Sequence, residues 1–79
     1  MFTVYILFSE QLQKYYIGYT SKNVQDRLKE HLYNHKGFTA KAKDWNVIYK
    51  LERNSKSEAL MLERKIKKRG AKRFLNQIA

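Results

Sequence analysis

Apolar residues fall along this chain in two rhythms. Residues 2–8, "FTVYILF", are mostly apolar and rich in β-branched and aromatic types, as in a strand buried on both faces. The polar-leaning "SEQLQK" breaks that pattern, and residues 15–20, "YYIGYT", read as a second strand. A loop that short predicts an antiparallel hairpin. Residues 46–52, "NVIYKLE", alternate apolar and polar and predict a third strand. Elsewhere the period lengthens. Val24, Leu28 and Leu32 recur every four residues, Asn23 stands at a cap position, and Asp26 follows near the positive end of the helix dipole. A helix over 23–34 is predicted. A polar, basic loop, "NHKGFTAKAKDW", follows it. Ser55 and Glu58 have capping-box spacing, Ala59, Leu62 and Ile66 share a face, and Gly70 is a stop signal. These predict a helix over 56–69. A last short helix is predicted over 71–77, with Phe74 and Ile78 folding back. The order β-β-α-β-α-α predicts a small α/β (α+β) fold: a three-stranded, mostly antiparallel sheet flanked by helices. The third strand is expected beside the first after the helical crossover.

Length then limits the picture. A chain of 79 residues buries only about 60% of the surface its unfolded form exposes. One modest core is expected, with 1–79 as a single domain. Cysteine is absent, which excludes disulfides and thiolate metal sites and suits a reducing, cytoplasmic setting. No apolar run approaches the roughly 20 residues that span a bilayer. The apolar N-terminus lacks a basic flank and a small-residue cleavage site, so it reads as a strand rather than a leader.

Charge adds a partner class. Residues 1–35 carry four cations (Lys14, Lys22, Arg27, Lys29) against three acids (Glu10, Asp26, Glu30), whereas the rest carries the other cations, giving +10 overall. "RKIKKRGAKR", residues 64–73, contains Arg64, Lys65, Lys67, Lys68, Arg69, Lys72 and Arg73. A basic half of this kind suits a polyanion. Nucleic acid is favoured over a membrane, because no helix pairs its basic face with a large aromatic apolar one. Lys22, Lys41 and Lys43 are further candidates for backbone contacts, with Trp45 beside the last of these as a stacking residue or a partly buried cap.

Several chemistries are missing. The seven acids are scattered, which does not suit a two-metal site. His31 and His35 are four residues apart but have no evident third ligand for zinc. Three glycines make no phosphate loop. An enzyme built here must work with tyrosines, arginines, a histidine and isolated glutamates.

Those residues carry a resemblance. "TVYIL", "YYIGYT", "DRLKEH" and "SEALMLERKIKK", spread from Thr3 to Lys68, resemble the GIY-YIG endonuclease superfamily. The likeness is nearest to its small stand-alone bacterial members, which are similar to the N-terminal nuclease domain of the repair excinuclease. Tyr5 falls on the tyrosine of the first motif, and Tyr16-Ile17-Gly18 matches the second letter for letter. Arg27 matches the helix arginine, His31 the residue one turn later, and Glu63 the metal-binding glutamate. Thr3 replaces the first motif's glycine. Tyr19 stands where many relatives carry lysine, with Lys22 or Lys14 as stand-ins. Asn76 is the one candidate for an asparagine some relatives carry near the C-terminus.

The resemblance implies hydrolysis of DNA phosphodiester bonds with a single Mg²⁺ or Mn²⁺ on Glu63 and no organic cofactor. Arg27 would hold a phosphate oxygen with its planar fork. Tyr16 would be the general base, with Tyr5 as its hydrogen-bonding partner or the alternative base. His31 would relay a proton or bind phosphate. A free phenol titrates near 10, so a tyrosine base needs nearby cations. The expected setting is structure-specific cleavage in DNA repair or recombination, with RNA as a further substrate class and a partner protein as a source of specificity. Two rivals stay open: a binding module of the same fold that cleaves weakly, and a protein-interaction adaptor. Without the motifs, Tyr5 and Tyr16 would be strand packing and Glu63 half of a helical ion pair with Lys67.

Overall fold

The computed structural model describes residues 1–21, 23–33 and 42–78, and within the first helix it describes side chains as far as Lys29. The elements are β1 (Phe2–Ser9), β2 (Lys14–Thr20), α1 (Val24–Tyr33), β3 (Asn46–Arg53), α2 (Lys56–Arg69) and α3 (Ala71–Ile78). This is the expected β-β-α-β-α-α order. The sheet runs β2-β1-β3 and both pairings are antiparallel. The most apolar strand therefore takes the centre, where it pairs on both sides. Among the described residues no helix is long and apolar enough to cross a membrane.

Strand alternation sorts the core onto the two faces of the sheet. Val4 and Ile6 face α2 and α3, where they join Ala59, Ile66, Ala71 and Phe74. Tyr5 and Leu7 face the other way, with Val24, Ala42 and Trp45, and Leu28 and Tyr16 close over them. α1 thus covers one face and α2 with α3 the other. Side chains of Glu30, His31, Leu32 and Tyr33 lie outside the described residues.

Local signals explain the helix ends. The Asn23 Oδ1 accepts from the Gln25 N–H at 2.8 Å, so Asn23 caps α1. Ser55 Oγ accepts from the Glu58 N–H at 3.2 Å and starts α2. Gly70 ends it at φ 93°, with its N–H donating to the Ile66 carbonyl at 2.8 Å. Among the described residues no atom beyond its chain neighbours lies within 4 Å of where a Gly70 Cβ would be, so backbone conformation calls for glycine here. The chain then turns into α3.

Two expectations change. Ile78 does not fold back and is 52% exposed, while Leu75 packs beside Phe74 instead. Trp45 is fully buried at 2% exposure rather than a partial cap, which removes it as a base-stacking surface. Its ring meets Tyr16 edge-on at 6.5 Å, a contact between residues far apart in sequence.

The β1–β2 hairpin is tied to the segment before β3. Ser9 Oγ donates to Asp44 Oδ1 at 2.5 Å, and Asp44 Oδ2 accepts from the Gln11 N–H at 2.9 Å. Ser9 Oγ also accepts from the Leu12 N–H at 3.1 Å. One carboxylate and one hydroxyl thereby satisfy the turn. These bonds hold Asp44's carboxyl below the usual carboxylate range, with the Ser9 hydroxyl as the largest cause.

Candidate active site

Among the described residues β2 is an edge strand, paired only with β1. A cleft of about 470 Å³ opens along it. Arg27 reaches this cleft from α1, on one face of the sheet. Lys56, Glu63 and Lys67 reach it from α2, on the other. Between them the strand supplies Tyr16, Gly18, Tyr19 and Thr20. Helices on opposite faces can cooperate here because neither has to pass through the sheet; their side chains meet beyond its free edge.

Tyr5 lines the same cleft from the central strand. The register explains how. Tyr5 is paired with Gly18, so the space a side chain would fill on β2 is left to its phenol. Tyr16, on the same face two residues away, closes beside it. Five residues assigned by resemblance, Tyr5, Tyr16, Gly18, Arg27 and Glu63, therefore stand around one opening.

Burial separates the two tyrosines. Tyr5 is 1% exposed, and burial raises its pKa above the usual phenol value of 10.0. A hydrogen bond from the Arg27 side chain opposes that rise, and the neighbouring Tyr16 and Glu63 reinforce it. A nearby cation such as Arg27 favours a phenolate. At Tyr5 desolvation outweighs the guanidinium, so this phenol keeps its proton at neutral pH. Tyr16 is only half-buried and faces the opening.

Glu63 has a side-chain exposure of 13%, and its Oε1 accepts from Lys67 Nζ at 3.2 Å. The helical ion pair suggested by spacing alone is thus present, but inside the cleft. No group of three metal-ligating side chains gathers among the described residues. One sheltered carboxylate on a cleft wall does fit a hard cation such as Mg²⁺, which keeps several waters and takes one or two carboxylates.

The other sequence candidates divide. His31 lies in α1 by backbone, and its side chain is outside the described residues, as are Lys22 and Lys41. Lys43, Arg64 and Lys72 are exposed away from the cleft. Lys65, Lys68, Arg69 and Arg73 surround a separate pocket. Lys14 pairs with Ser9 at the far end of β2, and Asn76 is exposed on α3, so neither lines the cleft. Among the described residues the cleft's lysines are Lys56 and Lys67. Sequence reasoning misses Lys56, although it stands seven residues before Glu63, two turns away on one helix face.

Comparison with curated proteins and with solved structures gives no significant match. Residues 1–76, however, match the family described as the GIY-YIG catalytic domain. That match covers all but the last residues of the chain, takes in every side chain of the cleft, and goes with the sheet and helix order found above. The chain belongs to the GIY-YIG family, a nuclease-type fold whose members are generally divalent-metal-dependent endonucleases.

Proposed function

We propose that this protein is a metal-dependent endonuclease that hydrolyses DNA phosphodiester bonds with a single divalent ion and a tyrosine general base. The observation that carries the reading is the single cleft shared by Tyr5, Tyr16, Gly18, Arg27 and Glu63.

Each residue has a distinct task. Arg27 uses its planar fork twice: one donor on the Tyr5 oxygen, another on a non-bridging phosphate oxygen. Tyr5, kept protonated by burial, is a hydrogen-bond donor and a fixed support for Arg27 rather than the base. Tyr16 takes the proton of the attacking water as its own phenolic proton passes to solvent or to His31, and the water oxygen bonds to phosphorus as the bond to the leaving sugar oxygen breaks. Lys56 and Lys67 draw phosphate into the cleft. One Mg²⁺ or Mn²⁺ held by Glu63 and water would supply a Lewis acid for the leaving oxygen. His31, one turn beyond Arg27, is the further candidate for proton relay.

A domain this small offers little base-reading surface, so binding rests on phosphate contacts and falls steeply with salt. Preference would be for a nick, flap or junction, in repair or recombination within the cytoplasm, with RNA or a partner protein as variations on that theme.

The test is cleavage of supercoiled plasmid and of nicked and branched oligonucleotides with Mg²⁺, Mn²⁺ or EDTA. Glu63→Ala and Tyr16→Phe run in parallel. Metal-dependent cleavage that disappears in both variants supports the proposal. No cleavage of any substrate, with salt-sensitive binding intact in all three proteins, replaces it with a binding module.

A further inference from the structure

α2 carries two cationic flanks. With 3.6 residues per turn, Lys56, Glu63 and Lys67 lie to one side of the buried Ala59 and Ile66, and Arg69 and Lys65 lie to the other. The two sets line different cavities. The second cavity, about 570 Å³, sits at the seam of α2 and α3 and is walled by Lys65, Lys68, Arg69, Arg73 and Gln77. The stretch 64–73, continuous in sequence, is therefore not one continuous surface.

Three properties make this groove a site. Among the described residues its lining holds four cations, an amide and no carboxylate. Like charges so placed repel one another, and a bound polyanion relieves the repulsion. Arg69 Nη1 donates to Gln77 Oε1 across the seam, so both helices contribute polar side chains to the groove. No apolar side chain among the described residues lines the groove, so its apolar surface is limited to the stems of its lysines, arginines and glutamine.

We propose that the α2–α3 groove is a second phosphate-binding site that holds nucleic-acid backbone on the far flank of α2 from Glu63. It rests on the nucleic-acid reading above but not on catalysis. A strand bound in the cleft and a second segment of backbone bound in the groove would embrace α2 between them. The groove then contributes affinity and orientation, while the cleft alone does the chemistry.

The test uses Lys65→Gln, Lys68→Gln and Arg73→Gln together, leaving Arg69 and Gln77 in place. A control of equal charge change carries Lys14→Gln, Lys29→Gln and Lys50→Gln. Binding of a labelled duplex is measured in EDTA over a range of salt, and cleavage is measured separately with metal. Removing one phosphate contact flattens the slope of log K against log salt by about 0.9. The groove variant is expected to flatten it by about two to three such steps and to raise KM with kcat unchanged. The control is expected to leave both nearly as in the parent. An unchanged slope in the groove variant, or an equal flattening in the control, overturns the second site. A fall in kcat without change in KM also overturns it. A protein that binds as expected but never cleaves would sink the endonuclease reading and leave the groove standing.

Discussion

Gly18 faces Tyr5 so closely that a Cβ on Gly18 would stand 2.7 Å from the Tyr5 hydroxyl oxygen and 2.9 Å from its ring carbon Cζ. No real Cβ sits that near a neighbouring atom, so one of the two must move. The phenol is buried and hydrogen-bonded to Arg27, which makes moving it expensive. Gly18→Ala is expected to lower stability by about 1–3 kcal/mol, the usual range for overpacking, and to displace Arg27 from its working position. Thermal melting and cleavage rate measure the two effects. In a Tyr5→Phe background the stability penalty of Gly18→Ala should shrink, since the nearest atom is gone. Equal penalties in both backgrounds would show that the phenolic oxygen is not the atom the new methyl group meets.

Tyr5 also predicts an alkaline limit. Its pKa is raised by burial in the folded state, so the unfolded chain loses the phenolic proton first as pH climbs. The stability it contributes is complete below the ordinary phenol value of 10.0 and drains away as pH rises through the folded-state value. Denaturant midpoints from pH 8 upward should fall in the parent and fall less steeply in Tyr5→Phe. The same slope in both proteins would assign the alkaline loss to other groups.

Much of this fold was legible because its signals are local. α2 begins and ends where Ser55 and Gly70 say it should, since a cap and a positive-φ stop are written in single residues. The facing of Tyr5, Tyr16 and Gly18 also follows from strand alternation. What escaped depends on distance in sequence. Trp45 is buried because Tyr16 and Leu7 close around it, and nothing in "KAKDW" carries that contact. Ile78 has the right period for a core residue but stands a turn beyond Phe74, the last buried position of α3. Most consequential is the rotation of α2. It turns Lys56 and Lys67 into the cleft and sends Lys65 and Arg69 to the far side, which a count of cations cannot reveal.

Lys67 makes opposing demands on the site. Its ammonium holds the Glu63 carboxylate that the proposed cation needs, yet it also offers charge to the substrate phosphate. Lys67→Met should therefore shift two quantities in opposite directions. A unit charge about 4 Å away is worth ~1 kcal/mol in water, so half-saturating Mg²⁺ is expected to fall about fivefold while KM for DNA rises. Stability should change by less than about 0.5 kcal/mol, the usual scale of a helical i, i+4 pair, because the lysine that is removed is 55% exposed. A metal requirement that stays the same would show that Lys67 never competes for the carboxylate.

Gly70 gives a prediction about architecture alone. Among the described residues an alanine there meets no atom, but φ 93° is strained for any residue with a Cβ. Gly70→Ala should cost about 1–3 kcal/mol through the backbone, read as a lower denaturant midpoint with an unchanged slope. A cost near zero would mean that α2 and α3 can meet at another angle, and the Arg69–Gln77 contact across the seam would be the first to report it.

The hairpin latch sets the acid limit. Asp44 is held below its ordinary pKa of 3.8 by the Ser9 hydroxyl and the Gln11 N–H, so the folded state binds its proton less readily than the unfolded one. Its contribution is present above that ordinary value and is lost as pH falls through the lower folded one. Ser9→Ala removes the donor that is the largest single cause of the shift and leaves the Leu12 N–H without its acceptor. Melting temperatures taken from pH 6 down to pH 2 should converge for the parent and Asp44→Asn, since the protonated aspartate has lost the same charge-assisted bonds. Ser9 has no exposed surface, so Ser9→Ala should remain the less stable protein even where Asp44 is protonated. A gap between parent and Asp44→Asn that stays constant across the whole range would place the acid sensitivity elsewhere and reduce the latch to simple packing.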